Sequence, residues 1–163
     1  MDGYEDYDYS FYLVKFITMS KLDPIALNFL SDSCTVDNAF IVTIQQVLLD
    51  TQDVLFAFLV GSRANNSATD ASDWDIAIQW RYGDALARIA KHELLRHRLA
   101  SMLAMPDSQI DLIDLSDARL AMQALAAEEG CLMVANDELA WAKFLTRTWR
   151  DLEDYYWERA HAA

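Results

Sequence analysis

The chain has 163 residues, the length of one ordinary domain, and 53% of them are hydrophobic, enough for a core and too many for a disordered chain. Its 26 acidic side chains against 13 basic give a net charge of −13, which argues against a general nucleic-acid binder, because a phosphate backbone needs a basic footprint. The same charge admits a basic protein partner or a nucleotide held through a divalent metal, beside the plain reading of solubility.

In chain order, residues 1–18 are aromatic and acidic without a clear period, and Asp2, Glu5, Asp6 and Asp8 are the opposite of a signal peptide's basic start. Met19 opens MSKLDPIALNFL, which reads as a natural beginning. One domain is therefore expected over residues 19–163, with 1–18 as a poorly ordered extension. Residues 24–32 and 36–51 have helical spacing, with Ile41, Ile44, Val47 and Leu48 on one stripe. Val54 to Val60 is a short apolar run suited to a buried strand. The following GSRANNSATDASD reads as a loop with room for one helical turn.

Trp74 to Trp80 alternates as a second strand. Residues 84–104 form a long helix closed by Pro106, and Gln109 to Leu115 a third strand. Ser116 and Asp117 are caps for a helix that runs to Glu129 and stops at Gly130. Cys131 to Ala135 is a fourth strand, and Asn136-Asp137-Glu138 starts a last helix that ends near Ala160. The order implies an α/β (α+β) domain: one small mixed sheet packed with helices, N-terminal helices before it and a long C-terminal helix after it. Cys34 and Cys131 have no zinc or disulfide spacing, so a reduced cytoplasmic compartment is the default. No apolar run is long enough for a transmembrane helix.

The chemistry concentrates in Gly61-Ser62, ten further residues, Asp73-Trp74-Asp75, and Asp111 in a later strand. Asp73 and Asp75 stand two apart at a strand's start, on one face and roughly 6–7 Å apart along the backbone. Two carboxylates so placed repel unless a cation lies between them, and hard oxygen ligands suit Mg²⁺. A pair of Mg²⁺ ions clamps the attacking and leaving oxygens of an in-line phosphoryl displacement. Asp111 sits among Ile110, Leu112 and Ile113, where an acid is costly unless paired or metal-bound. It is the candidate third ligand and the base for the acceptor's proton. Asp114 competes for that role, but three residues on it faces the other side of the strand. Gly61 lets the backbone approach a phosphate, and the Ser62 hydroxyl with the N–H groups of the next turn suits the β- and γ-phosphates. Arg63 can reach phosphate or pair with a carboxylate of the fold.

The stretch LVGSRANNSATDASDWDIAI resembles the Gly-Ser-x10-Asp-x-Asp signature of the DNA polymerase β-like nucleotidyltransferases, and within them the minimal nucleotidyltransferase (MNT) domains. The resemblance covers Val54 to Leu115 well. It implies an antitoxin that transfers AMP from ATP, with two Mg²⁺ ions, to a tyrosine of a cognate HEPN ribonuclease toxin and so neutralises it. By position, Asp73, Asp75 and Asp111 would be catalytic and hold metal, and Gly61, Ser62 and Arg63 would bind the nucleotide. An antitoxin acting by contact alone, and a transferase with an antibiotic-like small-molecule acceptor, are the competing readings. The family usually continues Gly-Ser-Arg-Ala with Arg or Lys and then Gly, where this chain has Asn65 and Asn66. Asn tolerates left-handed backbone, so the turn is expected to survive without that basic contact. Trp74 replaces a smaller aliphatic and is expected to point into packing.

Two further features have plain structural readings. Arg88, Lys91, His92, Arg96, His97 and Arg98 on the long helix read as a solvated, ion-paired face, against a contact for ATP, RNA or an acidic toxin patch. Trp141, Phe144, Leu145, Trp149, Leu152 and Tyr156 have core spacing on the last helix, which leaves Tyr155 and Trp157 as an exposed remainder.

Overall fold

The computed structural model describes residues 38–81 and 83–162. The expected helix at 24–32, the extension at 1–18 and Cys34 lie outside the described residues.

Helix α1 (Asn38–Leu49) buries Ile41, Ile44, Val47 and Leu48, the stripe its spacing predicts, while Val42 and Leu49 on the other side are exposed. Strand β1 (Val54–Val60) is apolar throughout because it is central and both its faces are covered. Strand β2 (Trp74–Trp80) pairs with it antiparallel, returning from the loop that follows Gly61. Helix α3 (Ala85–Met102) then carries the chain across to β3 (Ile110–Asp114), which lies parallel to β2, as a crossover helix requires. Helix α4 (Leu120–Glu128) leads to β4 (Cys131–Ala135), antiparallel to β1 on its other side. The sheet is mixed, in the order β3-β2-β1-β4, as the element order leads one to expect.

Each face of the sheet has its own core. Ala57, Leu59, Ile76 and Ile78 meet α1 and α3 on one face. Phe56, Phe58, Val60 and Ala77 meet α4 and the last helix, α5 (Glu138–His161), on the other. A fully buried aliphatic or aromatic side chain contributes about 1.5–3 kcal/mol, so these two layers carry most of the fold's stability.

The helix ends show where local signals held and where they failed. Asp84 accepts from the Ala87 N–H at 2.8 Å and caps α3; Asp137 accepts from the Ala140 N–H at 2.9 Å and caps α5. The expected caps of α4 do not form. Asp117 is drawn to Arg88, the Ser116 hydroxyl accepts from Gln79 Nε2, and α4 begins later, at Leu120, behind Arg119 with no side-chain cap. Gly130 follows that helix as expected, but for close packing: a Cβ there would lie 2.4 Å from the Ala126 carbonyl oxygen and 3.1 Å from Phe58 Cβ.

Helix α5 outruns the body it packs on. Trp141, Phe144, Leu145 and Thr148 are buried, whereas Tyr156, expected in the core, is exposed beside Tyr155 and Trp157. At this tip Trp157 stacks on His161 at 4.4 Å, and the Arg159 guanidinium lies over Tyr155.

Candidate active site

The end of β1 and the starts of β2 and β3 meet at one edge of the sheet. Val60 pairs with Asp75, and Asp75 pairs with Asp111 on the parallel strand. Neighbouring residues of a ladder point the same way. Asp75 and Asp111 thus share the face of Ala77 and Ile113, which belongs to the α4–α5 layer. Asp73 lies two residues before Asp75 and just ahead of the strand, which starts at Trp74.

Gly61 begins α2 (Gly61–Ala64), one helical turn directly after β1. Two features require glycine here. Its φ is +69°, in the left-handed region, and a Cβ would sit 2.4 Å from Asp75 Oδ2. The Asp75 carboxylate therefore occupies space that only a glycine leaves open, and the turn and the acid form one unit. The Ser62 hydroxyl is half-buried on the same turn.

The electrostatics agree with this convergence. Burial pushes the Asp75 carboxyl above the usual carboxylate range, and the charges of Asp111 and then Asp73 push it further, while Arg63 pulls it back. Asp111 and Asp73 both lie close enough to Asp75 for their charges to act on it, and Arg63 offsets them only in part. Among the described residues no three potential ligands form a ready-made metal cage. Asp111 is exposed because β3 is the edge strand. The expectation of an acid in a costly apolar setting is corrected accordingly: what marks Asp111 is its neighbours' charge, not its burial.

Asp114 is elsewhere. Its carboxylate lies 3.3 Å from Arg88 Nε and accepts from the Ser116 N–H at 2.9 Å, on the α3 side of the sheet. His92, also on α3, packs its ring edge-on against Trp80 at 5.8 Å. Burial lowers its affinity for a proton, against the opposing pull of Asp114 and Glu93. Other cations of α3 are likewise matched: Lys91 with Asp53 at 2.8 Å, Arg96 with Glu93, Arg98 with Asp50 at 3.4 Å. The ion-paired reading of this helix face is the one the structure gives.

Arg63 has a place that the sequence did not suggest. Its Nε donates to the carbonyls of Ser72, at 3.2 Å, and Asp73, at 3.1 Å, and a terminal nitrogen donates again to Ser72. The guanidinium lies 4.3 Å over the ring of Trp74, which is buried as expected. The signal available was a lone arginine facing a tryptophan at the far end of a polar loop. Inside that loop Asn66 adopts φ 60°, the left-handed turn foreseen for it. The Asn65 side chain accepts from the Ser67 N–H and hydroxyl.

Comparisons with known proteins agree with this architecture. Three solved structures are similar over about three quarters of this chain and nine tenths of theirs. A mutant MntA–HpeT toxin–antitoxin complex matches at 22% identity and TM-score 0.58, over 74% of this chain and 92% of its own. A toxin–antitoxin with AMP-PNP matches at 24% identity and TM-score 0.58, with the same coverage. A tri-AMPylated Shewanella oneidensis HEPN toxin in complex with MNT antitoxin matches at 22% identity and TM-score 0.54, over 75% and 91%. At such identities the likeness speaks for the fold. No curated protein matches the sequence. The profile described as Polymerase beta, Nucleotidyltransferase matches residues 42–139, more than half the chain, from α1 through the acid edge to the start of α5. The chain belongs to that nucleotidyltransferase family.

Proposed function

We propose that this protein is an antitoxin adenylyltransferase, moving AMP from ATP to a tyrosine of a HEPN-family ribonuclease toxin in the cytoplasm and thereby silencing it. The observation that carries the reading is the meeting of Asp73, Asp75 and Asp111 beside the glycine turn at Gly61. Support for the partner comes from the HEPN toxin bound, and AMPylated, in one structural relative, and support for the nucleotide from AMP-PNP in another.

The donor set fits Mg²⁺, since every candidate ligand is a hard carboxylate oxygen and the charges of Asp111 and Asp73 push the Asp75 carboxyl up further than Arg63 offsets. Mg²⁺ is commonly held by one or two carboxylates together with substrate phosphates and water, so the three acids at this edge are enough protein ligands. Bound there by Asp73, Asp75 and Asp111, two such ions would supply charge for the displacement at the α-phosphorus.

The chain's own residues do the rest. Gly61 and Ser62 present N–H groups and a hydroxyl to the β- and γ-phosphates. Asp111, exposed at the sheet edge, accepts the proton of the tyrosine hydroxyl as its oxygen bonds to the α-phosphorus. The bond from the α-phosphorus to the bridging oxygen breaks and pyrophosphate leaves with the electron pair. Products are tyrosyl-AMP and pyrophosphate.

The test is transfer of label from α-³²P-ATP with Mg²⁺ to the cognate HEPN protein. Labelled toxin tyrosine, lost in Asp73→Ala and Asp75→Ala together with neutralisation, is the expected result. An unlabelled toxin that the double variant still neutralises would replace this reading with one of contact alone.

A further inference from the structure

We propose that Arg63 is a positioning residue: by holding the carbonyls of Ser72 and Asp73 it presets the Asp73–Asp75 pair for a divalent cation, and it does not bind the nucleotide's phosphates. The inference deepens the transferase reading above and rests on it.

The loop between α2 and β2 spans residues 65–73, and it must deliver Asp73 to the same edge as Asp75. Much of its bonding is internal. Asn65 turns onto Ser67, and Ser72 exchanges bonds with Thr69. Such bonds shape the loop without fixing where its end lies. Asp73 is exposed, so side-chain packing does not hold it either. Arg63 ties the last two loop residues to the rigid turn α2 through three hydrogen bonds.

The guanidinium is itself fixed from below. Trp74 is 2% exposed and packs against Phe40 at 5.8 Å, so it is an immobile platform at 4.3 Å. A planar fork both stacks on a ring and spans two carbonyls, which an ammonium cannot do. The hydrogen bonds go to backbone oxygens of the Asp73 segment, which fixes that segment's course while its carboxylate stays on the open edge. Turning the group outward to a phosphate would break all three hydrogen bonds and the ring contact.

Full-length wild type, Arg63→Gln and Arg63→Lys are titrated with MnCl₂ without nucleotide, and free Mn²⁺ is read by electron paramagnetic resonance. AMP-PNP binding is measured separately in EDTA. Losing a group that orients metal ligands typically costs 10–100-fold in metal affinity. Arg63→Gln is expected to weaken Mn²⁺ by about that factor with AMP-PNP binding in EDTA unchanged. Excess Mn²⁺ is expected to recover its turnover, a shift in metal KM and not in kcat. Arg63→Lys, which keeps the charge and one carbonyl contact, falls between the two.

Unchanged Mn²⁺ affinity, or AMP-PNP weakened in EDTA, would overturn the assignment. If Arg63→Gln fails to fold, Arg63→Lys decides: weaker Mn²⁺ at an unchanged melting temperature supports the role, and equal Mn²⁺ affinity overturns it. A wild type that binds Mn²⁺ neither alone nor with AMP-PNP present overturns this inference and the transferase reading together, whereas one that binds it only with AMP-PNP, or no better than both variants do, overturns this inference alone.

Discussion

Asp111 and Asp114 stand three residues apart on one short strand, and the fold surrounds them with opposite charge. Asp114 is tucked under α3, where Arg88 meets it at 3.3 Å and reaches on to Asp117 at 2.9 Å. Asp111 stands beside Asp75, whose carboxyl is already driven up by burial and by Asp111 and Asp73. One acid has been given its cation by the chain. The other stands with Asp73 beside Asp75, whose carboxyl both of them push up. A charged group whose partner is built in is structural, and one gathered with its own kind is, on the function proposed above, the place for a cation that arrives with the substrate.

The comparison is broken most directly by exchanging the two acids' fates. Asp111→Ala is expected to lower the rate of AMP transfer by about 10²–10⁴, the range for losing a positioned base, with stability unchanged or raised. Asp114→Ala should leave that rate within a few-fold, and equal losses from the two would end the distinction. Single-turnover transfer and urea unfolding of both variants measure this.

Next in size is Gly61→Ala. The new methyl collides with Asp75 Oδ2 in a left-handed residue, costing about 1–3 kcal/mol of stability. A displacement of the acid by an ångström costs about a hundredfold in transfer. A variant that unfolds at the wild-type urea concentration and transfers normally would show that the turn and the acid are not one unit.

Arg88→Ala addresses the other pole. It leaves Asp114 half-buried without its cation and is expected to cost about 1–3 kcal/mol in urea unfolding, with transfer unaffected. A large loss of transfer at intact stability would make Arg88 part of the chemistry.

The smallest effect is in acid. His92 takes up a proton near 6.5 when unfolded, and at lower pH when half-buried against Trp80. Its contribution to stability is therefore complete above that value and is lost as the pH falls through the folded one. His92→Gln should flatten the dependence of unfolding free energy on pH as the pH falls below His92's unfolded value of 6.5. An unaltered slope would mean the ring titrates as freely in the fold as outside it.

Much of this arrangement was legible in the sequence, for identifiable reasons. The strands Val54–Val60, Trp74–Trp80 and Cys131–Ala135 have their expected bounds because sheet burial writes itself as apolar runs bounded by turn residues. The parity of a strand separated Asp111 from Asp114 before any coordinates. What stayed hidden depended on partners distant in sequence. Ser116 and Asp117 look like helix caps, but Gln79 and Arg88 outcompete the local N–H groups for them. The exposure of Asp111 follows from β3 being the sheet's edge, which no window of sequence encodes. The grip of Arg63 on Ser72 and Asp73 requires the loop to have closed already.

The projecting tip of α5 has a practical consequence for optical work. Trp157 is 64% exposed, while Trp74, Trp80 and Trp141 are between 2% and 4%. Indoles in water emit to the red of those in a core, so the molecule carries two separable reporters. Trp149, partly buried on the same helix, lies between these extremes, so iodide quenching of the reddest component follows chiefly the helix end and anything that covers it. The blue component tracks the sheet and its acid edge, through Trp74 between Asp73 and Asp75 in sequence.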